Sequence, residues 1–197
     1  MNRRVAHAGA LVVTVTVALF ALCMLLSFSF GSYLVCMLLP LGFIMVAAGF
    51  ACECREDRRA AAYTGLAFAG VYATLVLLVY CAQTTTVRLE PLSGQAAAIL
   101  DYQRGGLLFN YDLLGYGVMA LSTLFTGLSI APQSRADRYL RALMMLHGVF
   151  FLPCLAMPMT GMFVGMDGAS GSGGTIALLG WCAYYLPIGV LSCRHFR

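Results

Sequence analysis

The stretch from Ala8 to Cys52, AGALVVTVTVALFALCMLLSFSFGSYLVCMLLPLGFIMVAAGFAC, runs for 45 residues without a formally charged side chain. As one straight helix it would be about 68 Å long at 1.5 Å per residue, more than twice the roughly 30 Å of a bilayer's hydrocarbon core. It must fold back. The turn falls at Ser27 to Tyr33 (SFSFGSY), where serines, a glycine and interfacial aromatics coincide. Two spans result, about 9–28 and 33–52.

The same ruler applies to the rest of the chain. Uncharged runs from Ala60 to Val87, Leu113 to Ser134, Ala142 to Met166 and Thr175 to Cys193 give four more spans, about 61–83, 112–131, 141–164 and 175–193. The expected fold is therefore all-α: one polytopic membrane domain over residues 1–197, built as a six-transmembrane-helix bundle. Composition agrees, with 61% hydrophobic and 10% charged residues against the roughly 25% charged residues of a soluble globule. The apolar excess needs an apolar solvent, so the lipid bilayer is the first partner expected, with other membrane subunits or a second copy as further candidates.

All twelve basic residues are arginine. In a six-span chain Arg3, Arg4, Arg55, Arg58, Arg59, Arg135, Arg138, Arg141, Arg194 and Arg197 fall on one side and Arg88 and Arg104 on the other, which puts both termini in the cytoplasm of a bacterial inner membrane. The longer loop between spans three and four is then extracytoplasmic. Within it Ser93 to Gln103 (SGQAAAILDYQ) starts on a capping serine and reads as a short helix. The charge forms no stripe of the kind that binds nucleic acid, and with Cys23, Cys36, Cys81, Cys154 and Cys182 in or beside spans and Cys52, Cys54 and Cys193 at the reducing face, no disulfide framework is expected. Ala61, Gly65, Ala69 and Ala73 recur at spacing four, a small-residue face suited to close helix packing.

Several groups are candidates for chemistry. His147 is the only histidine inside a span, and ionisable groups at depth face the bundle by default. It serves either as a proton or substrate contact or as a neutral ring bonded to a carbonyl or hydroxyl next door. The fifth span also carries Met144, Met145, Cys154, Met157, Met159, Met162 and Met166. Thioether, thiol and imidazole suit Cu(I), so His147, Cys154, Met159, Met162 and Met166 form a possible soft-metal ladder, although methionine is also ordinary packing material. Cys52, Cys54, Cys193 and His195 would meet if their helix ends are adjacent, but one residue between the first two cysteines is not zinc spacing.

At the start of the fourth span Asn110, Tyr111, Asp112 and Tyr116 gather an amide, an acid and two phenols. With Arg104 and Arg88 nearby, this is the candidate contact for a ligand or partner. Its plain alternative is an acid on the helix dipole and tyrosines in an aromatic belt.

Two resemblances arise. Gly168-Ala169-Ser170-Gly171 resembles the nucleophile motif of rhomboid intramembrane proteases, which implies Ser170 as nucleophile. The only later histidine is His195, beyond the far end of the last span, so the base is missing. Residues 109–116 with the following Met-Ala-Leu-Ser-Thr-Leu-Phe are similar to small six-span bacterial integral membrane proteins, a likeness that implies no activity. The chain thus reads as non-enzymatic, without a cofactor motif: a small permease-like protein or an accessory membrane subunit, with soft-metal handling as the alternative and an intramembrane enzyme disfavoured.

Overall fold

The computed structural model describes residues 1–163 and 172–197. Among these every regular element is helical: α1 (Asn2–Leu25), α2 (Ser29–Glu53), α3 (Arg59–Thr84), α4 (Thr86–Leu89), α5 (Gly94–Leu100), α6 (Leu107–Ser129), α7 (Arg135–His147), α8 (Phe151–Met159) and α9 (Ser172–Phe196), with single 3-10 turns at Glu56–Arg58, Tyr102–Arg104 and Gly148–Phe150. Six helical stretches are long and apolar enough to cross a membrane, α7 and α8 together forming the fifth. Several helices outlast the spans expected from charge. α1 begins at Asn2 and carries Arg3 and Arg4 within its first turn, and α6 starts five residues before Asp112.

The turn between α1 and α2 is tighter than the sequence suggested. Phe28 donates to the Cys23 carbonyl at 2.8 Å and Ser27 to the Met24 carbonyl at 3.2 Å, the double closure of a Schellman motif. The residue that reverses the chain is Ser27, at φ 54°. Glycine normally occupies this left-handed position because a Cβ is penalised there. Ser27→Gly is expected to stabilise the fold by about 1 kcal/mol, read as a raised midpoint of thermal unfolding in detergent.

The spans close a ring. α1 packs on α2 and α9, α2 on α3, α3 on α6, α6 on α7 and α8, and α7 back on α9. Lipid offers no hydrophobic drive between helices, so contact rests on close backbone approach and on polar bonds. A Cβ on Gly49 would lie 2.2 Å from the Ala6 Cβ, and one on Gly65 would lie 2.6 Å from Thr126 Oγ1. Gly65, Ala69 and Ala73 are buried and Ala61 half-buried. The small-residue face of α3 thus meets α6, where Ser122 Oγ donates to the Gly65 carbonyl at 2.6 Å. Phe43, Tyr72, Val76, Met119 and Tyr185 fill the middle of the ring.

The fifth span is broken at Gly148–Phe150. Pro153 supplies no N–H to Val149 and its ring crowds that carbonyl, so the helix tightens to a 3-10 turn and restarts at Phe151. The sequence predicts kinks at Pro153 and Pro158; Pro158 lies within α8.

The arginine-bearing helix ends gather at one end of the bundle. Arg3 pairs with Glu53 at 3.2 Å and donates to the His195 carbonyl, while Arg58 caps the Ile130 carbonyl after α6. The two nitrogens of the His195 ring face Asp137 Oδ1 at 2.8 Å and Glu53 Oε2 at 3.2 Å. One chain of polar contacts thus ties α1, α2, α7 and α9. At the opposite end the 85–106 connection folds over the bundle. Its helix α5 is capped by Ser93, which accepts from the Ala96 N–H.

Candidate functional site

Beneath that connection lies a buried carboxylate. Asp112 is 2% exposed and sits on the sixth residue of α6, past the first turn in which the helix dipole acts strongly. The plain alternative offered by the sequence, an interfacial acid on the helix dipole, thereby gives way to an acid enclosed by protein. Three other elements, and the next turn of α6 itself, close on it. From α3 the Tyr80 hydroxyl donates to Asp112 Oδ2 at 3.2 Å. From the 3-10 turn after α5, Tyr102 approaches the same carboxyl group. α2 contributes Tyr33 and Cys36, and one turn further along α6 the Tyr116 hydroxyl donates to Cys36 Sγ at 3.7 Å. Among the described residues none donates a hydrogen bond to Oδ1 of Asp112.

Among the described residues no guanidinium pairs with this charge. Arg104 pairs instead with Asp101 at 3.7 Å, and Arg88 bonds the Thr84 carbonyl at 3.1 Å and stacks over Phe30. Among the described residues Asp112 makes no ion pair. A carboxylate held away from water with half its acceptors unused is costly unless a cation or proton joins it.

The geometry around it is held from α3. Gln83, 3% exposed, accepts the Tyr102 N–H at 3.0 Å and donates to the Leu100 carbonyl at 2.8 Å. One side chain thereby fixes the backbone that presents Tyr102. Burial first, and the Asp112 charge second, push the Tyr102 phenol well above its ordinary value of 10, so it remains a donor. Gln103 reaches Tyr33 OH at 2.7 Å. The rings of Tyr33, Tyr80 and Tyr102 form a triangle with centroids 5.6, 6.0 and 6.1 Å apart. Above it is a cavity of about 160 Å3 lined by residues that include Phe20, Phe28, Ser29, Tyr33, Gln103 and Thr175.

The other candidates distribute differently. Tyr111 is 43% exposed and turned outward, and Asn110 is half-buried; Tyr80 and Tyr102, rather than these two, reach the carboxylate. His147 is 1% exposed and twelve residues from the start of α7, about 18 Å along the axis, deeper than a helix starting at Arg141 would place it. Trp181 Nε1 donates to its Nε2 at 3.1 Å. Nδ1 is then the N–H, donating to Thr123 Oγ1 at 2.7 Å, and that hydroxyl donates to the Ala120 carbonyl at 2.8 Å. Both ring nitrogens are engaged, which is the neutral, hydroxyl-bonded arrangement allowed by the sequence.

The sulfur ladder is described only in part. Cys154 is half-buried beside Gly117, while Met159 and Met162 are 77% and 54% exposed. Met166 and Ser170 lie outside the described residues. At the arginine-rich end Cys54 Sγ bonds the Ala51 carbonyl, Cys193 Sγ faces Thr14 Oγ1, and His195 is held by two acids. Among the described residues no three His, Cys, Asp or Glu side chains group to hold a metal.

Sequence reasoning singled out Asp112 and Tyr116 but missed Tyr33, Tyr80, Gln83 and Tyr102. Tyr80 and Gln83 share a helix face at spacing three, and Asp112 and Tyr116 at spacing four; those two spacings are the local signal available. Compared with protein-family models, with curated proteins and with solved structures, the chain matches none.

Proposed function

We propose that this chain is a small, non-enzymatic, permease-like protein of a bacterial inner membrane, with both termini cytoplasmic, and that Asp112 is the charge at its binding site. The carrying observation is the buried carboxylate with an unused Oδ1 under a cavity at the loop end. Supporting it, Pro40 within α2 removes the helical donor of the Cys36 carbonyl, so backbone polarity is released beside the acid, as in helices that line a transport site. The orientation is supported by ten arginines at the end opposite the cavity.

Reconstituted in proteoliposomes, the protein should give a charge displacement when a cationic solute is added outside. Asp112→Asn should lower it about tenfold or more, as expected for loss of a charge-assisted contact. A signal equal in the variant sinks the reading. For orientation, a membrane-impermeant thiol reagent on intact cells should label Gln95→Cys, which is exposed on α5, in a background without native cysteines. It should label Arg197→Cys only after lysis. The reverse pattern would invert the topology.

A further inference from the structure

The cavity and the acid below it have a chemistry that narrows the ligand. We infer that the site takes a small organic ammonium ion of a few carbon atoms, its nitrogen received by Asp112 through the Tyr33–Tyr80–Tyr102 triangle. This rests on the reading of Asp112 as a binding charge.

Three independent features converge on that class. Charge comes first: a carboxylate 2% exposed, with no guanidinium in an ion pair to it among the described residues and Oδ1 accepting nothing, lacks one positive charge. Surface chemistry comes second. Three phenol rings 5.6–6.1 Å apart line the cavity, Tyr80 among them donating to Asp112, which is not itself in the lining, and Phe20 and Phe28 extend the wall. Aromatic faces attract an ammonium or alkylammonium, most strongly where water is excluded. Size comes third. The cavity offers about 160 Å3, against the roughly 10–15 Å3 that one water molecule needs by this measure, so it admits several heavy atoms. A proton would need no such space. A bare alkali ion would leave most of that volume, and the ring faces of its wall, unused.

The polar part of the lining suits the rest of such a molecule. Ser29, Gln103 and Thr175 border the cavity. Tyr102 belongs to the connection and is held through Gln83 rather than built into a span.

The test uses the full chain purified in detergent with ethylammonium chloride as probe and sodium chloride at matched ionic strength as control. Ethylammonium should bind saturably by calorimetry and raise the thermal midpoint, sodium should do neither, and Asp112→Asn should weaken binding by about tenfold or more. Should Asp112→Asn fail to fold, Tyr33→Leu removes one ring and keeps the acid, and a loss of about fivefold or more is expected. Equal effects of sodium and ethylammonium, no ethylammonium binding by the folded protein, or binding indifferent to both variants would overturn the assignment. Sodium flux in proteoliposomes without ethylammonium binding would overturn it and leave the permease reading standing. Ethylammonium binding without flux would do the opposite.

Discussion

Trp181→Ala is expected to cost about 3–5 kcal/mol of folded stability, the range for removing a large aromatic from a packed interior. Trp181 is 9% exposed, stacks on Tyr185 with centroids 5.0 Å apart and meets Tyr116 edge-on at 5.3 Å. Its N–H also fixes the tautomer of His147. The alanine variant therefore leaves a cavity and an unsatisfied Nε2 in one place. Trp181→Phe separates these losses, keeping a ring while orphaning His147, and should cost about 1–3 kcal/mol. The measurement is unfolding followed by circular dichroism, since Trp181 is the only tryptophan and its fluorescence vanishes with it. A phenylalanine variant as stable as the parent would show that the indole bond contributes nothing.

The second large effect concerns glycines and has a built-in control. Gly49→Ala places a methyl 2.2 Å from the Ala6 Cβ and 3.1 Å from the Phe196 ring. Both α1 and α9 would have to shift, at about 1–3 kcal/mol, and Gly49→Leu should exceed that range. Gly70→Ala meets nothing within 4 Å and should instead gain about 0.5–1 kcal/mol, since glycine inside a helix is entropically costly. Opposite signs at two mid-helix glycines would establish close backbone approach as the packing device. Equal signs would refute it.

The six long apolar helices were legible because run length and charge act locally: 45 uncharged residues cannot be one span, and Ser93 caps α5 as its spacing with Ala96 requires. The ends were less legible. Arg3 and Arg4 were read as preceding the first helix but belong to it, because a helix continues beyond the hydrocarbon wherever its backbone bonds are satisfied. The same offset at α6 moved Asp112 from the rim into the bundle. Tyr33, Tyr80 and Tyr102 come from three separate elements, and singly each resembles an ordinary interfacial tyrosine. Their meeting is a tertiary event with no periodicity to announce it. For His147 the residue and its kind of partner were legible, but the identity of Thr123 and Trp181 was not.

The contact between α1 and α9 makes order of manufacture matter. Of the six spans, α1 is synthesised first and α9 last, yet they are neighbours, clasped through Arg3, Glu53 and His195. Until α9 arrives, α1 has an unfilled flank, and the part of the cavity wall that α9 supplies through Thr175 and Leu178 is missing. A nascent protein therefore stays open along that seam until α9 is made, and the cavity is walled in only when that helix seals it.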